Sequence, residues 1–373
     1  MEKRIKVLVT GSQGFLGKNL VARLNELDQY TVIEFKRGDS LDELKSLILT
    51  ADFIFHLAGE NRPKNIEQYT IVNEGLTQSI SNFIQESGRK IPLVFASSAQ
   101  ATQDNPYGIS KLNAETVVRE LSKTFSVPTF IYRLPGVFGK WCKPNYNSVV
   151  ATFCNNVAHD LPIHINNHDA KLSLVYIDDV IDEFVSLILN RSSGHKYCEI
   201  SPVYEVTLGR LARCIESFKH SRKSLIIEAV GHGFMRALYA TYISHLSPEK
   251  FTYDLPIYSD QRGKFVEMLK TAESGQFSYF TALPGVTRGG HYHHTKSEKF
   301  LVVKGRASFK FRQIITNEKY EIEVSGDIPR VVETIPGWAH DITNIGEEEM
   351  VVILWANEIF NHNKPDTIAS ALI

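Results

Sequence analysis

The 373-residue sequence is short of cysteine, of net charge and of long apolar runs. Cys142, Cys154, Cys198 and Cys214 are widely spaced and form no CxxC pair, which excludes a disulfide framework and thiolate-rich metal or redox motifs. Reduced thiols are expected. Forty-one Lys and Arg face 42 Asp and Glu, so the formal net charge is -1 and a broad attraction to nucleic acid is excluded. An anionic substrate has to be met by a local pocket. No segment is long and apolar enough for a signal peptide or a spanning helix, and a strand-like run begins at Ile5, directly after Met1-Glu2-Lys3-Arg4. A cytoplasmic protein without membrane insertion is expected.

What is present is globular: 43% hydrophobic and 22% charged residues. The length exceeds one ordinary core, so more than one domain is expected. The first half alternates β-branched runs with helical patterns. Strands are expected at 6–10, 30–35, 53–57, 92–96, 128–133 and 171–175. Helices are expected at 15–27, 41–49, 72–85, 111–123 and 179–189. This βαβ rhythm predicts a Rossmann-type parallel sheet covered on both faces. Helices at 206–218 and 234–246 read as a substrate lobe. Near Ser247-Pro248-Glu249 the texture changes to short strands between Gly, Pro and Asp turns, at 263–268, 276–282, 298–303, 306–313, 319–324, 331–335 and 349–356. An all-β barrel or double sheet is expected there. The expected domains are 1–246 and 247–373.

Gly11-Ser12-Gln13-Gly14-Phe15-Leu16-Gly17 lies between the first strand and the first helix. Glycines there let the backbone approach a dinucleotide pyrophosphate, whose charge meets the helix N-terminus. The second strand ends Phe35-Lys36-Arg37, and two cations at that point suit the 2'-phosphate of NADPH. Two other readings are that Glu34 is an acidic ribose reader and that Lys36 and Arg37 are ordinary solvated charges. Tyr107 and Lys111 stand at i and i+4, on one helical face. An ammonium beside a phenol is expected to lower its pKa and ready it for acid/base work. Ser98, after a strand, is placed to bond a substrate oxygen.

With these residues, Asp52, His56-Leu57-Ala58-Gly59, Asn73, Gly75, Arg133 to Gly139 and Tyr176-Ile177-Asp178-Asp179, the stretch 5–190 resembles the extended short-chain dehydrogenases/reductases. The nucleotide-sugar epimerases, dehydratases and ketoreductases are the nearest in kind. The resemblance implies Tyr107 as general acid/base, Lys111 on the nicotinamide ribose, Ser98 on the carbonyl and Asn73 in support. It also implies a cofactor site at Gly11, Gly14, Phe15, Leu16, Gly17, Leu57, Ala58 and Gly59. One departure stands out: eight residues separate Ser98 from Tyr107, where relatives carry a longer loop that builds part of the sugar pocket. This favours a ketoreductase over a dehydratase.

In the second half, Gly285, His291, His293, Glu298 and Gly305 form one pattern, and Pro336, Gly337, His340 and Asn344 another. His291 and His293 alternate on a strand and point the same way. Glu298 begins the next strand and His340 comes from a separate one. Such imidazoles with one carboxylate suit a divalent metal ion, zinc above all. His294 faces away and is the weaker candidate. Both patterns resemble the two motifs of the cupin family over about 255–365, which implies a small barrel with inward ligands. Arg288-Gly289-Gly290-His291 also resembles the entry of cupin-type keto-deoxysugar epimerases, in which the matching histidine is a base. His291 is therefore a candidate both as ligand and as catalytic base.

The joining of the two parts, with the stretches 101–108, 138–147 and 293–300, resembles the bifunctional enzymes of capsular polysaccharide synthesis. That resemblance implies a homodimer acting on a UDP-linked 4-keto-2-acetamido-2,6-dideoxyhexose. The cupin would epimerise C3, and the N-terminal domain would reduce the C4 ketone with NADPH. The product would be the 6-deoxy-L-talose form, on the route to UDP-N-acetyl-L-fucosamine. The alternative is a 4-ketoreductase whose metal-binding cupin serves assembly only.

Overall fold

In the computed structural model, which describes residues 4–63, 65–189, 194–363 and 365–372, the chain divides into two compact units. One runs to Ile215 and includes Ala237–Leu246; the other comprises Glu216–Arg236 and the chain from Ser247 onward.

The first unit grows from β1 (Ile5–Thr10), whose Val7, Leu8 and Val9 are wholly buried. Such a continuous apolar run belongs to a strand covered on both faces. It is followed by α1 (Phe15–Asn25), β2 (Tyr30–Phe35), α2 (Leu41–Thr50) and β3 (Phe53–His56). Ser40 caps α2 in a full capping box with Glu43, which fixes where that helix starts. Next come a π-helical turn at Tyr69–Gly75, α3 (Leu76–Glu86), β4 (Leu93–Ser98), α4 (Pro106–Phe125) and β5 (Thr129–Leu134). The unit continues with β6 (Gly136–Phe138), α5 (Val149–Ala158), β7 (Lys171–Tyr176), α6 (Ile177–Leu189), β8 (His195–Cys198) and β9 (Tyr204–Thr207).

Among the described residues the main sheet has the order β2-β1-β3-β4-β5-β8, with every pairing parallel. One face is closed by Leu44 and Ile48 of α2, Ile80 and Ile84 of α3, and Ala114, Val118 and Leu121 of α4. On the other face, Phe184 of α6 packs against Phe55 and Tyr132. Each of the Leu, Ile, Val and Phe side chains among them contributes about 1.5–3 kcal/mol by leaving water. The strand order reverses at β1, with β2 on one side and β3 on the other. Ligands of doubly wound sheets bind at that crevice, beyond the carboxyl ends of the strands.

Several boundaries differ from the sequence expectation. The helix expected at 72–85 is a π-turn continued by α3, and it holds Asn73 inside the wide turn. The helix expected at 111–123 begins at Pro106, because Asn105 caps it through the Gly108 N–H, and so it already contains Tyr107. The stretch expected to be helical from 206 opens as β9 and then becomes a helix at Leu208–Ser224, here α7; α8 spans Gly233–Ile243.

The second unit is antiparallel. Its strands are β10 (Ile257–Asp260), β11 (Gly263–Thr271), β12 (Gly275–Ala282), β13 (Thr287–Tyr292), β14 (Glu298–Lys304), β15 (Arg306–Gln313), β16 (Lys319–Ser325), β17 (Val331–Glu333), β18 (Trp338–Asn344), β19 (Met350–Ala356) and β20 (Ile368–Ala369). Among the described residues they form a sheet β10-β11-β12-β19-β14-β17 and a sheet β16-β15-β18-β13-β20. Phe280, Phe300, Val302, Phe309, Ile342, Met350 and Val352 form the core to which both sheets contribute. This is a cupin fold. β13 and β18, the strands expected from the histidine positions, are polar or glycine-rich, so apolar alternation does not mark their bounds.

Candidate functional site

In the first unit the glycine loop folds tightly on itself. Gly14 donates its N–H to the Gly11 carbonyl at 2.9 Å. Gly11 has φ +68°, and a Cβ there would stand 2.7 Å from the Ala58 nitrogen. A Cβ on Gly17 would run into the Gly11 carbonyl. Only glycine lets α1 start this close to the loop. Phe15 and Leu16 open α1, and Leu57, Ala58 and Gly59 follow β3 across the crevice. The loop is therefore a fit for a dinucleotide pyrophosphate.

Behind Ala58 the structure is held by buried polar groups. His56 is wholly buried, and its two ring nitrogens bond the hydroxyls of Thr10 and Thr77 at 2.8 Å each. Burial, helped by the nearby Lys111 charge, lowers its pKa to about 3, so it is a neutral brace. Asn73 accepts from the Glu60 N–H at 2.7 Å, donates to the Glu60 carbonyl at 3.1 Å and donates to Ser110 at 2.9 Å. It shapes the loop after Gly59. Asp52, also quoted in the family pattern, takes the Lys6 N–H and pairs with Arg89, a structural role.

Three consecutive residues of β4 face three residues of α4 spaced by four, and two of these pairs are hydrogen-bonded. Ala96 accepts at 3.0 Å from the Lys111 ammonium, Ser97 donates at 2.6 Å to Glu115, and Ser98, whose hydroxyl accepts from the Gln100 N–H at 3.1 Å, lies near enough to Tyr107 to affect its pKa. Tyr107, Lys111 and Glu115 lie on one helical face, which sets their spacing over the strand. Burial lowers the Lys111 pKa to about 8, with Glu115 opposing. Glu115, which sequence reasoning missed, is buried beneath Arg133 and Tyr197; burial works to raise its pKa, but the bonds from Arg133, Ser97 and Tyr197 hold it down.

Tyr107 departs from expectation. Burial raises its pKa, and the nearby Ser98 hydroxyl pulls the other way. The ammonium of Lys111 is engaged with the Ala96 carbonyl and the Phe95 ring, 5.0 Å from its centroid, rather than with the phenol. The phenol is thus a proton-bearing group, suited to donate. The short connection from Ser98 is a 3-10 turn, Ala99–Thr102, packed so closely that a Cβ on Gly108 would clash with the Gln100 carbonyl.

Lys36 and Arg37 do stand just beyond β2, but each has an acidic neighbour. Lys36 lies 3.8 Å from Glu34, and Arg37 lies 2.5 Å from Glu60.

In the second unit, ligand atoms of His291, His293, Glu298 and His340 all lie within 4.8 Å of one another. His291 and His340 face each other across the β13–β18 pair, with ring centroids 4.7 Å apart. His293 lies one residue beyond β13, its ring 4.9 Å from His291. Glu298 starts β14 in the other sheet, and its Oε2 is 3.2 Å from His293 Nε2 and 3.4 Å from His340 Nε2. Three imidazoles and one carboxylate oxygen converging from both sheets fit a divalent metal ion. His293, Glu298 and His340 are buried, whereas His291 is only partly so. Burial, then the His340 and His293 rings, lowers the His291 pKa to about 4. For Glu298 burial acts upward, but bonds from His293 and His340 and the Lys296 charge hold the carboxyl far below its usual range.

Two supports escaped the sequence reading. Lys296, buried, lies 3.1 Å from the other oxygen of Glu298. The backbone carbonyl of Asp366 bonds His293 Nδ1, and its carboxylate takes the N–H groups of His294, Thr295 and Lys296 at 2.7–2.9 Å. Burial would raise the Asp366 carboxyl, but these donors keep it well below the usual range. This is the outer support that fixes a ligating imidazole. Its separation of some seventy residues leaves no local signal. His294 itself is exposed, beside Tyr292.

Comparison with known proteins agrees with both units. Residues 7–200 match the model of the NAD dependent epimerase/dehydratase family, and residues 258–368 match the polysaccharide biosynthesis C-terminal domain. The chain is 52% identical over 368 residues, 99% of either protein, to UDP-2-acetamido-2,6-beta-L-arabino-hexul-4-ose reductase of Pseudomonas aeruginosa. It is 25% identical over 59% of its length to the dTDP-4-dehydro-6-deoxyglucose reductase of Escherichia coli, covering 83% of that protein. The crystal structure of the capsular polysaccharide assembling protein CapF from Staphylococcus aureus superposes with a TM-score of 0.90 at 40% identity, covering 98% of this chain and 99% of that one. No helix among the described residues is long and apolar enough to cross a membrane. With a glycine loop at a doubly wound switch point, a Tyr/Lys pair beside it and a family model matched over more than half its length, the chain is an enzyme belonging to the NAD dependent epimerase/dehydratase family, extended by a C-terminal cupin.

Proposed function

We propose that the chain carries out two successive steps on a UDP-linked 4-keto-2-acetamido-2,6-dideoxyhexose: epimerisation at C3 in the cupin, then NADPH-dependent reduction of the C4 ketone in the first unit. The product is the 6-deoxy-L-talose sugar nucleotide, on the route to UDP-N-acetyl-L-fucosamine. The observation that carries the reduction is a partly buried, proton-bearing Tyr107 beside Ser98 and one turn from Lys111. The P. aeruginosa relative, whose name describes a 4-ulose reductase, supports the substrate class.

Bound at these sites, the dinucleotide supplies a hydride and the metal ion, which we take to be zinc, supplies Lewis-acid charge. Ser98 and Tyr107 bond the C4 oxygen, and Tyr107 gives its proton to that oxygen as C4 becomes an alcohol. Lys111 holds the ribose hydroxyls. In the cupin, the C3 proton is acidic because the ketone is adjacent. A base removes it and a proton returns on the opposite face, so the step is redox-neutral. His291, the partly exposed member of the cluster, stands nearest to solvent for either of its two candidate roles.

The test uses the full chain with a UDP-4-keto-6-deoxy-N-acetylhexosamine in deuterated water. Deuterium is expected at C3 without NADPH, and reduction at C4 once NADPH is added. Tyr107→Phe should keep the exchange and stop the reduction. Reduction without C3 exchange would reduce the cupin to a supporting role.

A further inference from the structure

We infer that Glu60 is a specificity-determining residue that restrains the preference for a 2'-phosphorylated cofactor by competing for Arg37. The inference rests on the dinucleotide reading of this site. Glu60 follows directly on Leu57-Ala58-Gly59, at the crevice beyond β3, and Arg37 lies just past the end of β2. That is where the adenosine ribose of a dinucleotide is read, and where a carboxylate favours an unphosphorylated ribose and an arginine a phosphorylated one. This chain has both groups, and they hold each other: Arg37 Nη2 lies 2.5 Å from Glu60 Oε2.

The two partners are not equally free. The Arg37 side chain is 83% exposed, whereas that of Glu60 is 14% exposed. The backbone of Glu60 is clamped on both sides by the buried amide of Asn73, through its N–H at 2.7 Å and its carbonyl at 3.1 Å. Asn73 is itself fixed to Ser110 and sits in the π-turn. The carboxylate is therefore anchored and the guanidinium is the movable part. With its guanidinium largely in water, Arg37 is held only weakly, so a phosphate can draw it away. It then still meets the negative charge of Glu60. Lys36, 3.8 Å from Glu34, is similarly compromised and does not restore the lost cation. Two other acids stand near this loop, Asp39, which accepts the Lys36 N–H at 2.7 Å, and Glu34 beside the Lys36 ammonium, but it is Glu60 that pairs with the Arg37 guanidinium.

The probes are 2',5'-ADP, which carries the 2'-phosphate, and 5'-AMP, which does not. Titration calorimetry on the full chain reads the adenosine end alone, independently of turnover. Glu60→Gln, and Glu60→Val as a second variant, should tighten 2',5'-ADP roughly three- to tenfold, the effect of removing one partly screened charge. Binding of 5'-AMP should change less than twofold. The gain should shrink when Arg37→Ala is introduced as well. An unchanged affinity ratio, weaker 2',5'-ADP binding, or a gain that persists in full without Arg37 each overturns the inference. Wild type that binds neither probe overturns the dinucleotide reading with it, whereas wild type that binds both while the variants leave the ratio alone overturns the role of Glu60 only.

Discussion

The ammonium of Lys111 donates to the Ala96 carbonyl across 3.0 Å, which fixes a buried cation at the end of β4, one turn along the helix from Tyr107. Burial lowers the pKa of that ammonium to about 8. If Lys111 holds the cofactor ribose as a cation, dinucleotide affinity falls as the pH rises through about 8. Lys111→Arg, whose guanidinium keeps its proton, should move that fall beyond pH 10. Fluorescence titration of NADPH from pH 6 to 10 measures it. A flat profile for wild type would remove Lys111 from the binding site.

Tyr107→Phe should fold, bind NADPH as wild type does and lose reduction by about 10²-fold or more, the scale of one general acid. Its raised pKa puts the wild-type phenol in the donating form throughout the neutral range. Single-turnover oxidation of NADPH is the measurement, and near-normal rates would contradict the assignment.

The cluster His291, His293, Glu298 and His340 should carry one ion per chain, and Glu298→Gln or His291→Gln should lose it. Elemental analysis of protein prepared without added metal decides this. Because an ion that binds only the folded state stabilises it, chelation should lower the unfolding temperature of wild type but not of Glu298→Gln. Equal shifts in both would place the ion elsewhere.

His56 makes acid stability predictable. Its folded-state pKa, about 3, lies below the unfolded value near 6.5. Between those limits the unfolded chain binds more protons, so stability rises with pH and is lost on acidification, by about 1.4 kcal/mol per pH unit from this residue alone. His56→Gln should be less stable at neutral pH and have a shallower acid dependence between pH 6.5 and 3. Parallel urea midpoints for the two proteins over that range would refute it.

The sequence alone determined the doubly wound half, because buried parallel strands need continuous apolar runs such as Val7-Leu8-Val9 and glycine has no substitute where α1 meets its loop. It also determined the metal-type cluster, whose residues are chemically conspicuous: three histidines and a glutamate in motifs of fixed spacing. It did not determine the protonation of Tyr107. That depends on the burial of the phenol and on Lys111 turning to the Ala96 carbonyl, and neither is encoded in an i, i+4 spacing. Nor did it reveal Asp366 behind His293, Glu115 under Arg133, or Glu60 against Arg37. Each of these is a polar pair between residues distant in the chain, and hydrogen bonds and charges act through space. Local pattern shows which residues face a core or open a turn, and only the closed fold decides which charges meet.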